Sequence, residues 1–113
     1  MQTVLETPQF ARQAEAIFTD EERQAIAVLL AFNPVAGAEI IGTGGVRKVR
    51  FGFGGRGKRG GSRIIYFFFN EDIPIYEIAC YAKNAKENLT KAEIAAMKKL
   101  TTAIKAEYRK KSK

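Results

Sequence analysis

Hydrophobic positions along this chain change their spacing twice, and each change marks a new kind of element. Residues 2–6, Gln-Thr-Val-Leu-Glu, have the make-up of a short strand. Thr7-Pro8 follows, a hydroxyl placed to cap a helix with proline in its first turn, and Phe10, Ala14, Ile17 and Phe18 then recur at helical spacing. Thr19-x-x-Glu22 has the form of a capping box, in which hydroxyl and carboxylate each satisfy a backbone N–H left over at a helix start. A second helix is therefore predicted from about residue 20, with Ile26, Leu29 and Leu30 inward and its end near Asn33-Pro34. So short a connection makes the two helices an antiparallel hairpin.

Val35–Gly45 is small and glycine-rich, which predicts a loop. From Arg47 to Phe53 the period becomes two: Val49, Phe51 and Phe53 point one way, Lys48 and Arg50 the other. A strand here carries two cations side by side, ~7 Å apart, in a phosphate-sized cradle. The basic loop 54–61, GGRGKRGG, leads into Ser62–Asn70, apolar on both faces and hence a central strand. A turn at Asn70-Glu71-Asp72 opens a further strand over Ile73–Lys83. With Glu71 and Asp72 as the turn residues, the register sets Arg63 opposite Cys80, with Ala82 and Asn84 on Arg63's face and Tyr81 on the other. Thr90-x-x-Glu93 repeats the capping box and opens a helix over about 90–111, with Ile94, Met97, Leu100, Ile104 and Tyr108 at steps of three and four. The order predicts an α+β fold in a single domain spanning residues 1–113: an N-terminal strand, a helical hairpin, a mainly antiparallel sheet of about four strands and a C-terminal helix.

Charge sharpens this picture. The net charge is +7, but residues 1–40 hold two cations against six anions, residues 41–70 seven against none, and residues 71–113 ten against six. A block of seven uncompensated cations repels itself, and a chain that keeps it between strands is expected to use it on an anion. A sequence pI near 9.7 points to nucleic acid or a strongly acidic partner. No apolar run reaches the roughly 20 residues that span a bilayer. The segment MQTVLETPQF has neither a basic leader nor a long apolar stretch, so no signal peptide is expected. Cys80, the one cysteine, lies in an apolar setting and reads as a buried reduced thiol, consistent with cytoplasm.

Absences narrow the chemistry. The chain has no histidine, which removes Ser-His and Cys-His nucleophilic pairs and His-based ribonuclease centres. One cysteine and scattered carboxylates give no metal-ligand spacing, and no cofactor is expected. Gly57-Lys58-Arg59 lacks the spacing and hydroxyl of a nucleotide P-loop. What remains is Lys, Arg and Tyr acting on phosphate. Such a set can cleave RNA, because the substrate carries its own nucleophile, the 2′-OH. The protein must hold the backbone in line, move two protons and neutralise the extra charge on the phosphorane. Arginine suits the last task, being permanently charged and bidentate toward phosphate oxygens. A lysine base is costlier: with an ordinary pKa of about 10.4, neutrality at pH 7 requires on the order of 4–5 kcal/mol.

The stretches GTGGVRKVRF (residues 42–51) and RGKRGGSRIIYF (56–67), with a strand ending Tyr81-Ala82-Lys83-Asn84, resemble the RelE/HigB superfamily of toxins from bacterial type II toxin–antitoxin modules, its HigB-like branch above all. The resemblance covers nearly the whole chain. It implies a RelE-like fold and a metal-independent, ribosome-dependent mRNA endonuclease that works in the A site of the 70S ribosome, where ribosomal RNA helps to order the message. It also implies a cognate antitoxin, a monomeric state when free and a place in the bacterial cytoplasm. The family's lysine pair on the first hairpin strand matches Lys48 and Arg50, which makes Lys48 the candidate base. The family's strand arginine ahead of an aromatic run matches Arg63, assigned to the scissile phosphate. Past the last strand, where RelE itself uses an arginine as proton donor and a tyrosine to stack on the base, this chain has Asn84 and Thr90, and the match fails. Lys83 is then the nearest cation for the donor, beside Asn84, and Tyr81 the nearest aromatic for stacking. Arg47, Arg56, Lys58 and Arg59 are assigned to RNA and ribosome contacts, the loop glycines letting backbone N–H groups approach phosphates.

Two other readings compete. A non-catalytic RNA- or ribosome-binding module needs only the same basic hairpin; it would show steep salt dependence and no cleavage. An antitoxin-like DNA binder is disfavoured, because the helical pair of residues 8–33 is acidic and the cations lie on strand and loop.

Overall fold

A computed structural model describes residues 1–52, 61–83 and 88–111, the last of them by its backbone. In chain order it contains β1 (Val4–Glu6), α1 (Pro8–Ile17), α2 (Asp20–Phe32), β2 (Ala38–Glu39), β3 (Val46–Phe51), β4 (Ser62–Phe67), β5 (Ile75–Ala82) and α3 (Lys91–Lys111). The strands form one sheet in the order β1-β5-β4-β3-β2, with β1 parallel to β5 and the other pairs antiparallel. The fold is thus α+β.

Local hydrogen-bond chemistry sets the helix starts as expected. Thr7 Oγ1 accepts from the Phe10 N–H at 3.2 Å and donates to the Glu77 carbonyl at 2.9 Å, so the cap of α1 also pins that helix to β5. Both capping boxes close: Thr19 with Glu22 at α2, and Thr90 with Glu93 at α3.

The sheet is packed on both faces. On one face Phe10 and Ala14 of α1 and Ile26 and Leu30 of α2 pack on Ile64, Tyr66, Ile75 and Cys80; on the other Met97 of α3 packs with Val46, Ile65, Phe67, Ile78 and Ala79. At about 25 cal/mol per Å² of apolar surface, such burial is the main stabilising contribution on both sides. β4 contributes to both clusters, which explains its apolar run.

The structure departs from the sequence pattern in several places. The sheet has a fifth strand, β2, two residues long and paired to Arg47 and Lys48, within what reads as a loop. Gly37, just before it, packs so closely on β3 that a Cβ there would lie 2.7 Å from the Lys48 carbonyl oxygen. The β4–β5 connection is wider than a two-residue turn. Asn70 Oδ1 accepts from the N–H groups of Asp72 and Ile73, while Gln2 Nε2 donates to the carbonyls of Asn70 and Ile73, so neither strand reaches the connection. β3 ends at Phe51; Phe53 lies outside the described residues. Finally, α3 packs Met97, Ile104 and Tyr108 against the sheet as the stripe predicts, but departs from it at one position. Leu100 is 36% exposed while Thr101 is fully buried, donating its hydroxyl to the Thr43 carbonyl at 2.7 Å. Among the described residues no helix is long and apolar enough to cross a membrane.

Candidate active site

Strand alternation splits the cations of β3 between the two faces of the sheet. Val46 packs under α3, and Lys48 and Arg50, at steps of two from it, share its face; Arg47, Val49 and Phe51 turn toward the helical hairpin. Arg50 pairs across with Arg63, and Lys48 with Ile65. Two like charges directly opposite repel each other, and a phosphate lying between them makes the pair favourable.

The β4–β5 register then decides which residue lies on the far side of Arg63. Near the turn, Phe67 pairs with Tyr76 and Tyr66 with Glu77, as the turn-based register requires. A bulge follows. Ile65 pairs with Ala79, Ile64 with Cys80, and Arg63 with Tyr81, one residue later than expected. The mark of the inserted residue is that Ile78 and Ala79, adjacent in sequence, both pack under α3. This corrects the expectation that Arg63 faces Cys80. Cys80 turns to the hairpin side, and Tyr81 stands beside Arg63.

The outcome is a row across three strands, Arg50–Arg63–Tyr81, with neighbouring Cα atoms ~5 Å apart, and Lys48 one step along β3 at ~7 Å from Arg50. Arg50 is exposed, whereas Lys48, Arg63 and Tyr81 are half-buried. Lys83 follows the end of β5, is exposed, and its N–H reaches the Gly61 carbonyl at 3.4 Å, which keeps the end of β5 beside the start of β4. Asn84, Arg56, Lys58 and Arg59 lie outside the described residues.

Arg47 is not brought into this group. Its guanidinium donates to the Gly37 carbonyl at 2.7 Å on the hairpin face. Tyr66, its cross-strand partner, donates its hydroxyl to the Pro34 carbonyl at 2.7 Å and accepts from the Gly37 N–H at 2.9 Å. Burial raises the Tyr66 hydroxyl pKa, partly offset by that Gly37 contact and by Arg47. Together these two side chains hold the α2–β2 connection against β3.

Burial also fixes which groups hold their protons. It pushes the Cys80 thiol up to about 12, with Glu77 and Glu6 adding to the rise, so this cysteine is a neutral thiol near pH 7. Tyr76, half-buried, is pushed up to about 12 by that burial and by the hydrogen bond it shares with Tyr108. The Glu77 carboxyl, 1% exposed, is raised to about 8 by burial and by the neighbouring Glu6 charge, against the opposing effect of Arg23. None of these three lies in the Arg50–Arg63–Tyr81 row.

Strand alternation places Lys48 and Arg50 on one face from sequence, and the resemblance adds Arg63 as a candidate. The juxtaposition of Tyr81 with Arg63 depends on the bulge, which Ile78-Ala79 does not announce. Fold and site define an α+β protein with cations gathered on one face of a mixed sheet. A family model described as the RelE toxin of the RelE / RelB toxin-antitoxin system matches residues 2–112. The chain belongs to the RelE toxin family.

Proposed function

We propose that this protein is a ribosome-dependent mRNA endoribonuclease, a toxin that cuts the message in the ribosomal A site and is neutralised by a cognate antitoxin in the bacterial cytoplasm. Membership of a family whose toxins generally cleave mRNA supports the reaction class. The observation that carries the reading for this chain is the row Arg50–Arg63–Tyr81 with Lys48 beside it on one face.

The chemistry follows from what each side chain can do. Arg63 and Arg50 hold the non-bridging oxygens of the scissile phosphate and take up the charge that grows on the phosphorane. Lys48 removes the proton of the 2′-OH; the 2′ oxygen bonds to phosphorus and the bond to the 5′ oxygen breaks. That oxygen takes a proton from Lys83, with Asn84 the neighbouring alternative, leaving a 2′,3′-cyclic phosphate and a 5′-OH. Tyr81 stacks on a base next to the cut and keeps the nucleotide in line. No step needs a metal ion. The basic loop residues Arg56, Lys58 and Arg59 meet ribosomal RNA phosphates.

The test is 3′-end mapping by primer extension, with purified protein added to programmed ribosomes and, separately, to naked mRNA. Cuts confined to the ribosomal sample are expected. Tight ribosome binding without cuts in either sample would replace this reading with the non-catalytic binding module.

A further inference from the structure

The row of site residues ends at Tyr81, and Tyr81 also lines a cavity of about 200 Å³ at the open edge of β5. That edge is open because β1 stops pairing at Glu6–Glu77, leaving β5 from Ile78 onward without a neighbouring strand on this side among the described residues. The space lies between α1 and α3. Its walls are apolar, from Tyr81, Leu89, Met97 and Leu100, and α1 contributes two amides, Gln9 and Gln13. Leu100 is the residue that the helical stripe would bury; it borders this opening and stays partly exposed.

The polar groups are arranged with a direction. Gln13 Oε1 accepts from the Cys80 N–H at 3.0 Å, which fixes the amide oxygen on β5 and leaves its NH₂ group as a donor. Glu93, the charged residue of the lining, has its carboxylate committed to the Thr90 N–H at 2.8 Å. A carboxylate at the rim disfavours a phosphate and tolerates a neutral ring. For scale, an apolar cavity of about 150 Å³ accepts benzene. An apolar slot with an aromatic wall and an amide donor suits the carbonyl edge of a planar heterocycle.

We infer that this cavity takes one nucleobase of single-stranded RNA, the base next to the phosphate held by Arg63, and sets nucleotide preference. The inference rests on the RNA reading above and is continuous with it through Tyr81, which separates Arg63 from the cavity. The Gln13 NH₂ donates to a carbonyl or ring-nitrogen acceptor of the base, and Tyr81 and Met97 cover its faces. A base that enters this slot leaves its own phosphate on the arginines.

The chain contains two methionines, which makes the test simple. Met97 lines the cavity and is 7% exposed, whereas Met1 is 92% exposed, lines a different depression and serves as the internal control. Protein labelled with ¹³C at the methionine methyls is titrated with 2′-O-methyl trinucleotides, which cannot be cleaved, and with the same trinucleotides made abasic at one position. The Met97 resonance is expected to shift and saturate while Met1 stays still, and the abasic substitution at one position removes the shift. Gln13→Met should weaken binding but also deprives Cys80 of its acceptor, so Ala96→Trp is the decisive variant. It fills the cavity from the exposed side of α3 and should weaken binding about tenfold or more. On programmed ribosomes Ala96→Trp should redistribute the cut sites. Trinucleotide binding that leaves Met97 unmoved, or cut-site preference unchanged in Ala96→Trp, overturns the base pocket. So does a helical antitoxin peptide moving Met97 when RNA does not, which would make the cavity a protein-docking groove. Met97 shifts without ribosomal cleavage would instead keep the pocket and remove the endonuclease reading.

Discussion

Arg47 and Arg50 lie three residues apart on β3 and have opposite surroundings. Arg47 faces the helical hairpin, half-buried, its guanidinium on the Gly37 carbonyl beside the bridging hydroxyl of Tyr66. Arg50 faces the other side, exposed, opposite Arg63 and in line with Tyr81. The difference is one of parity: an odd number of steps along a strand changes face. It teaches that a run of cations is not one surface. On the hairpin face an arginine holds a loop in place; on the α3 face, arginines gather where a phosphate can lie between them.

The largest effect that sharpens this comparison is on the α3 face. Arg63→Ala should lower cleavage on programmed ribosomes by about 10²–10³-fold, the range for losing one preorganised donor to a developing oxyanion.

Glu77 tests the hairpin face by pH. With its folded pKa raised to about 8 from an ordinary 4.5, the folded state binds more protons than the unfolded state between those values. The contribution of Glu77 to stability is therefore fully present at and below about pH 4.5 and is lost as pH rises through about 8. Glu77→Gln should remove that decline, and its advantage in thermal midpoint over the parent should grow with pH across the same interval. A parent midpoint that rises with pH there would contradict the burial argument.

Smaller effects complete the series. Tyr66→Phe strips the Pro34 carbonyl and the Gly37 N–H of their shared partner, and should cost about 1–3 kcal/mol in denaturant unfolding without altering the cleavage rate. Arg47→Met should cost less, about 1 kcal/mol, because the lost bond to Gly37 is partly offset. The offset is relief of Arg47 Nε, which is buried with no hydrogen-bond partner among the described residues. A cleavage defect in Arg47→Met as large as that of Arg63→Ala would erase the distinction between the two faces.

Where the sequence is legible, the governing physics is local. Thr7-Pro8, Thr19 with Glu22 and Thr90 with Glu93 mark helix starts because each hydroxyl meets an N–H three residues on. The parity of β3 is legible for the same reason, each side chain being placed by its own backbone. Register across β4 and β5 is not local. The extra residue at Ile78 arises where Thr7 binds the Glu77 and Ile78 carbonyls from seventy residues away and Gln13 takes the Cys80 N–H. No window around Ile78 contains those partners. The burial of Thr101 in place of Leu100 is set likewise by the distant Thr43 carbonyl. The consequence is specific to the candidate site: Lys48 and Arg50 are found by counting residues, whereas Tyr81 beside Arg63 and the cavity next to it emerge only when the sheet is assembled.

The most direct measurement is the single-turnover cleavage rate of Lys48→Ala on programmed ribosomes, with ribosome affinity measured on the same samples. A fall in rate of at least about 10²-fold is expected, with affinity held within a few-fold of the parent, as for a group that moves a proton during the reaction. A parallel loss of rate and affinity, or a rate unchanged from the parent, would contradict that role for Lys48 and reduce the cations of the α3 face to a docking surface.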